Sequence, residues 1–370
     1  MDTGRTWRGG QGQVLLLTRG LAAAGHESVL LAPPGPLLER AAAEKIETRA
    51  WRAAGDFDLR AAARAHHALG EWRPDVVHAH SAHAQLPAVS LARHVGAAVV
   101  ASRRVMPEIR TNPLSRWKYS QPVGRYLCVS EAVLEAMRRS GVPAARLALV
   151  PSGVDLAALA ALRARAETGG AGLPPLRREI GAQADSPIVV TVAALTREKG
   201  HEALLEAAAE VSRARPDVRF VWIGEGPARQ RLERQLARRG LADTVRLLGF
   251  REDVQALVAQ MSLFVLASRR EGLGTSLLEA QALGIPVLAT RSGGTSDVIQ
   301  DGENGALTTP DRLGAAILSA LEAPQRLSLW RCAGLVTVRA YGAAAMVSNT
   351  LAQYEAVLRE RSPDLAAGLT

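Results

Sequence analysis

Residues 271–287 read EGLGTSLLEAQALGIPV and hold two carboxylates, Glu271 and Glu279, on either side of an expected helix start. Gly272 and Gly274 make the backbone ahead of that start permissive. Thr275 and Ser276 suit positions near a helix N-terminus. The first amide N–H groups of a helix have no partner within it and attract phosphate. Glu271 precedes the helix and can reach a polar ligand held there. Glu279 lies one turn inside, between Leu278 and Ala280, and can accept hydrogen bonds from two vicinal hydroxyls, as a carboxylate does on a ribose. A glycosidase needs two carboxylates facing each other across a sugar, and nothing in the sequence marks such a pair.

Other chemistry-bearing residues are sparser. Asp56 and Asp58 spell an Asp-x-Asp that could hold a divalent ion, but they lie far along the chain from the stretch above. No other carboxylate or histidine cluster has ligand spacing, so no metal is expected. Cys128 and Cys332 form neither a disulfide framework nor a metal cluster and read as buried thiols. Residues 103–125 carry Arg103, Arg104, Arg110, Arg116, Lys118 and Arg125 against Glu108 alone, with Met106, Ile109, Trp117 and Tyr119 interleaved. That pattern suits an acceptor-side or interfacial patch that meets acidic lipid or an anionic glycan.

These residues need a scaffold. The chain has 370 residues, 48% of them hydrophobic, enough for two domains with substantial cores. Short apolar runs at 75–80, 97–102, 126–130, 187–193, 219–224, 244–249, 263–268 and 286–290 read as buried parallel strands. Amphipathic segments such as 201–215 and 227–239 read as helices between them. The alternation argues for two Rossmann-like α/β domains facing a cleft. Their expected bounds are 1–162 and 187–340, joined by a linker at 163–186, with 341–370 a C-terminal helix returning to the first domain. That helix has Met346, Leu351, Tyr354 and Leu358 on one side. Residues 8–33 read as loop, helix, turn and strand, yet only polar residues precede them. The first strand of that domain is expected to be missing, and its absence to lower stability.

The formal net charge is +9. The excess lies wholly in residues 1–180, where 24 Lys and Arg face 15 Asp and Glu; beyond them 21 face 21. A basic first half suggests an anionic partner. No run of 18 apolar residues and no leader pattern is visible, which points to the cytoplasm.

Read together, eight stretches resemble the retaining, nucleotide-sugar-dependent glycosyltransferases of family 4, which have the GT-B fold. EGLGTSLLEAQALGIPV resembles their Glu–seven–Glu signature. AALTREKGHEALLEA (193–207) and WIGEGPARQRLE (222–233) resemble their phosphate loop and Gly-x-Gly-Pro loop. VRLLGFREDV (245–254), RSGGTSDVIQDGENG (291–305), VPSGVD (150–155), HAHS (78–81) and RGGQ (8–11) follow the family's order.

The resemblance implies roles. Lys199 would contact the donor pyrophosphate, and Arg197 would stand in for an arginine that the family often has where this chain has Ala194. Glu279 would bind the ribose and Glu271 the donor sugar. The amides of Leu273, Gly274 and Thr275 would meet the sugar or pyrophosphate. Gly224, Gly226 and Phe250 would line the donor site, with residues 249–254 near the base. Gly9 and Gly10 would let the first domain's backbone approach the phosphates, and His80 would face the donor sugar. Arg103, Arg104, Arg116, Trp117 and Lys118 would form the acceptor or membrane patch. The implied activity is metal-independent hexosyl transfer from a UDP-, GDP- or ADP-linked sugar, with no further cofactor. The acceptor would be an anionic glycan or glycolipid at the inner membrane face, as in lipopolysaccharide or capsule assembly, and no nucleic acid would be bound. Competing readings are a nonenzymatic two-domain sugar-binding protein, a nucleotide-sugar epimerase of the same fold, and an inactive relative.

Overall fold

The computed structural model describes residues 1–361 except 56, 57, 59, 107–112, 170 and 171, and gives residues 113–116 as backbone alone. Asp56 and most of the loop after Arg104 therefore lie outside the described residues, whereas Asp58 is described, accepts from Ala54 N–H at 2.9 Å and pairs with Arg64. The chain divides into two compact units, Met1–Gly153 with Gly342–Thr370, and Val154–Tyr341. Residues 163–186, read from the sequence as a linker, carry the end of the helix Leu156–Glu167 and the short helix Leu176–Ile180.

The first unit holds β1 (Val29–Ala32), β2 (Glu47–Ala50), β3 (Val76–Ala79), β4 (Ala98–Arg103), β5 (Arg125–Cys128) and β6 (Leu147–Leu149), all in parallel pairings. They form two separate sheets, β1-β2 and β3-β4-β5-β6. Among the described residues, Met1 and Asp2 run between β1 and β3. The Met1 amine donates to the His78 carbonyl at 2.7 Å, His80 N–H to the Met1 carbonyl at 2.9 Å, and Asp2 N–H to the Leu31 carbonyl at 2.9 Å. These two residues thus supply hydrogen bonds that join β1 to β3.

The C-terminal helix Ala343–Arg361 packs against this unit. Met346 and Val347 meet Leu17 and Leu21 of the first helix, Gly9–Ala23, and Val357 joins Ala98, Val100 and Leu127. Tyr354 reaches the sheet itself, its hydroxyl 2.6 Å from Nδ1 of His78. Leu358, expected on the packed side, is exposed. Cys128 is buried as expected; Cys332 is exposed, because it sits on the solvent face of the helix Pro324–Thr337.

The second unit holds β7 (Ile188–Val192), β8 (Arg219–Ile223), β9 (Val245–Gly249), β10 (Leu263–Leu266), β11 (Val287–Thr290) and β12 (Ala306–Thr308). They make one parallel sheet in the order β12-β11-β10-β7-β8-β9. Val189, Phe220, Trp222, Val265 and Leu288 of its strands share a core with Leu204, Val211, Leu232 and Ile317 of the flanking helices. Strands buried on both faces explain the unbroken apolar runs seen in the sequence.

Candidate active site

In open parallel sheets, ligands bind outside the carboxyl ends of the strands. The second unit gathers its candidate residues at that edge. After β7 the chain makes a tight turn, Arg197–Lys199, before the helix His201–Ala214. After β10 it loops through Ser268 and Glu271 to the helix Thr275–Ala282. The two loops meet: Lys199 Nζ donates to Glu271 Oε2 at 2.6 Å, and Ser268 Oγ donates to the same oxygen at 2.9 Å. Thr290 Oγ1, at the end of β11, donates to the Ser268 carbonyl at 2.8 Å and fixes that loop. The pair is only partly accessible, with side-chain exposures of 26% for Lys199 and 12% for Glu271. Sheltering of this kind strengthens the attraction of Lys199 for any anion that enters.

Gly274 sits at the N-cap with φ +87°, a left-handed conformation that favours glycine. It turns the chain so that the first amides of the helix Thr275–Ala282 open beside Glu271. Gly224 at the end of β8 has φ +145°, and a Cβ there would come within 2.0 Å of the Ala193 carbonyl oxygen. Only glycine lets these two strand ends approach so closely. Gly226 and the exposed Phe250 lie on the loops after β8 and β9, and Arg197 is exposed at the start of its turn.

Glu279 stands one turn into its helix. Its carboxylate meets Gln255 Nε2 at 3.4 Å and faces a crevice lined by Val192, Val254, Val258 and Phe264. Burial in these apolar surroundings lifts the carboxyl to about 7, while the Gln255 contact pulls the other way. The sequence did not single out Gln255 or Ser268. Both are neutral residues whose role depends on which loop end they reach.

The first unit has its own cluster at the same edge of its sheet. His80 follows β3, half-buried, with its ring stacked 3.9 Å from that of His78. Burial holds it well below the ordinary imidazole range, helped by the positive charges of His78, the chain amine and Arg104, so His80 is neutral at pH 7. His78 is a structural residue, with Nδ1 on Tyr354 and Nε2 2.9 Å from Ser102 Oγ. Gly9 and Gly10 begin the first helix, with open space where their side chains would be. Of the basic patch, Trp117 is half exposed, Arg104 is half-buried, and Arg103 and Lys118 are buried. The side chain of Arg116 lies outside the described residues. Among the described residues, no three His, Cys, Asp or Glu side chains gather as metal ligands would.

Both halves of the chain match families of known sequence. The model for Glycosyltransferase Family 4 matches residues 7–158, and that for Glycosyl transferases group 1 matches residues 174–332. The chain is 34% identical over 208 residues to the alpha-D-kanosaminyltransferase of Streptomyces kanamyceticus, a match over 55% of this chain and 52% of that enzyme. It is 28% identical over 311 residues to a D-inositol 3-phosphate glycosyltransferase of Segniliparus rotundus, over 78% of this chain and 67% of that one. The chain therefore spans about half to two thirds of these relatives' length. Among solved structures, Anabaena HepE in complex with UDP and glucose superposes with a TM-score of 0.81 at 18% identity, over 96% of this chain and 98% of that one. A glycosyltransferase from Rickettsia africae does so with a TM-score of 0.82 at 18% identity, over 97% and 98%. With its two halves matched in this order and the fold shared along almost the whole length, the chain belongs to the family 4 glycosyltransferases and has their GT-B fold.

Proposed function

We propose that the protein is a retaining glycosyltransferase that moves a sugar from a nucleotide-sugar donor to a glycan or glycolipid. The observation that carries this reading is the arrangement of Lys199, Glu271 and Glu279 around one helix N-terminus. Lys199 and the helix amides suit a diphosphate, Glu279 a ribose, and Glu271 the hydroxyls of the transferred sugar. Relatives named for kanosaminyl transfer and for lipopolysaccharide core biosynthesis support sugar transfer as the shared chemistry.

In the reaction the acceptor hydroxyl oxygen bonds to the anomeric carbon as the bond from that carbon to the diphosphate oxygen breaks. The leaving phosphate oxygen takes the hydroxyl proton on the same face, so no carboxylate nucleophile is needed. Lys199 balances the charge that develops on the diphosphate. Donor binding would draw Lys199 toward the phosphates and free Glu271 for the sugar. Arg197, Gly224, Gly226, Phe250, Leu273, Gly274 and Thr275 would complete the donor pocket.

The same reading puts the protein in the cytoplasm, touching the inner membrane face. No helix among the described residues is long and apolar enough to cross a membrane. Val105 and Trp117, 70% and 50% exposed within the arginine-rich stretch, supply the apolar contacts that such a surface needs.

A thermal-shift screen of UDP-, GDP- and ADP-sugars tests the reading. At a hundredfold excess over Kd a bound donor should stabilise the fold by about 2.7 kcal/mol. Glu279→Ala should weaken every donor that shares one nucleotide, and Glu271→Ala should discriminate among sugars on that nucleotide. If no nucleotide sugar shifts the melting temperature, the enzyme reading fails.

A further inference from the structure

Arg103 and Arg104 are consecutive at the C-terminal end of β4, yet they meet opposite surroundings. Arg103 is only 4% exposed and is taken up by neutral groups. Its Nη1 donates to the Ser102 carbonyl at 2.9 Å and its Nη2 to Gln85 Oε1, and its guanidinium lies over the rings of Tyr126 at 5.1 Å and Tyr119 at 5.5 Å. Gln85 in turn donates to the Lys118 carbonyl at 3.0 Å and to Tyr126 Oη at 2.9 Å. Arg103 therefore fastens the helix Pro113–Ser120 to the sheet.

Arg104 has no such network. Its Nε, like that of Arg103, is sealed from water without an acceptor; what differs is the guanidinium tip, whose Nη2 stands 3.5 Å from Nδ1 of the neutral His80. Among the described residues no carboxylate forms an ion pair with it. Asp2 acts on it only at longer range, since its Oδ1 accepts from Gly4 N–H at 2.7 Å and Gln11 Nε2 at 2.9 Å. A sheltered cation without a counter-charge destabilises a fold and is expected where a ligand supplies the missing anion. The position fits, because it lies at the ligand-binding edge of a parallel sheet. The chemistry fits too. Nδ1 of His80 faces guanidinium donors, which leaves its proton on Nε2, free to donate to the same ligand. Arginine in turn matches an oxyanion with two parallel hydrogen bonds.

We propose that Arg104, with His80 beside it, forms an oxyanion subsite of the first unit that grips a phosphate or carboxylate carried by the acceptor. The word acceptor rests on the glycosyl-transfer reading; the binding itself does not.

The test uses the full chain saturated with UDP, so that the diphosphate site at Lys199 is occupied. Inorganic phosphate, glucuronate and glucose are then titrated by calorimetry. Phosphate or glucuronate should bind where glucose does not, and which of the two binds names the acceptor's group. Arg104→Gln should weaken that binding at least tenfold, Arg104→Lys should restore part of it, and Lys199→Ala should leave it unchanged. Without ligand, Arg104→Met should melt above the wild type, because an unpaired cation has gone, whereas Arg103→Met should melt below it. Equal oxyanion affinity in the wild type and Arg104→Gln would overturn the proposal. So would binding that UDP abolishes. A fall in melting temperature on Glu108→Gln that matches Arg104→Gln would give Arg104 an internal partner and overturn it as well. If UDP itself does not bind, the donor reading fails, and the same titrations without UDP still decide the subsite.

Discussion

The two units carry sheets of unequal continuity and charges of unequal balance. In the second, six strands run in one parallel sheet, and the loops after β7 and β10 present a cation and a carboxylate that pair with each other, Lys199 and Glu271 at 2.6 Å. In the first, the strands divide into two sheets bridged by Met1 and Asp2, and the edge beyond β3 and β4 gathers His80 and Arg104 without a paired carboxylate among the described residues. An edge with both signs can release either partner to a ligand that carries both phosphate and sugar hydroxyls. An edge with one cation and no carboxylate paired to it suits an anion. The difference teaches that the same kind of sheet edge can carry a balanced ion pair in one unit and an unbalanced cation in the other.

The largest expected effect separates these roles. Lys199→Ala should lower kcat by ~10²–10³, the usual loss when one charge-stabilising group is removed from a transition state. It also strips Glu271 of its cation, so donor affinity should fall as well. Arg104→Gln should instead raise KM for an anionic acceptor with a much smaller change in kcat. Steady-state kinetics on both variants would break the comparison if Lys199→Ala changed only the acceptor KM.

The next effect is a pH dependence that belongs to the second unit. Glu279, lifted from the ordinary 4.5 to about 7 by burial, holds its proton in the folded state over a range where the unfolded chain has lost it. Its contribution is therefore full below about pH 4.5 and is lost as pH rises through about 7, a decline on the order of 3 kcal/mol. UDP affinity should move the opposite way, tightening from pH 6 to 8 as the carboxylate forms and accepts from the ribose hydroxyls. Glu279→Gln should flatten both trends. Denaturant melts and UDP titrations across pH 5–8 would show it, and a wild-type stability profile matching that of Glu279→Gln would sink the assignment.

Much of this was legible in the sequence, and the limits have physical causes. The runs 187–193, 219–224 and 263–268 stand out because strands covered on both faces need apolar residues throughout. β2, with sequence ETRA, and β6, only three residues long, lie at sheet edges where burial is incomplete, so they leave no such trace. β12 is short and half-buried in the same way. Glu271, Glu279 and Lys199 could be found because glycines and a helix start mark their loops. Gln255 could not, since its contact with Glu279 arises from two helices folding together. The stretch 103–125 was read as one basic surface. A charge count cannot separate Arg103, whose guanidinium tip is held by Gln85 and two tyrosine rings, from Arg104, whose tip meets only the ring of His80 among the described residues.

The smallest effect concerns the seam of the first unit. Asp2 Oδ1 accepts two hydrogen bonds, from Gly4 N–H and Gln11 Nε2, and its own N–H holds the Leu31 carbonyl of β1. Asp2→Ala leaves the backbone bond but removes the two that fix the segment leading into the first helix, at a cost of about 1 kcal/mol. In hydrogen exchange read by peptide mass, amides of β1 and β2 should then exchange about fivefold faster, while those of β7 and β8 stay unchanged. In the unaltered protein, β1 and β2 should already exchange faster than β7 and β8, because a two-strand sheet lacks the mutual support of six. Equal acceleration in both units would mean that they open together, and the contrast between a seamed sheet and a continuous one would then have no energetic content.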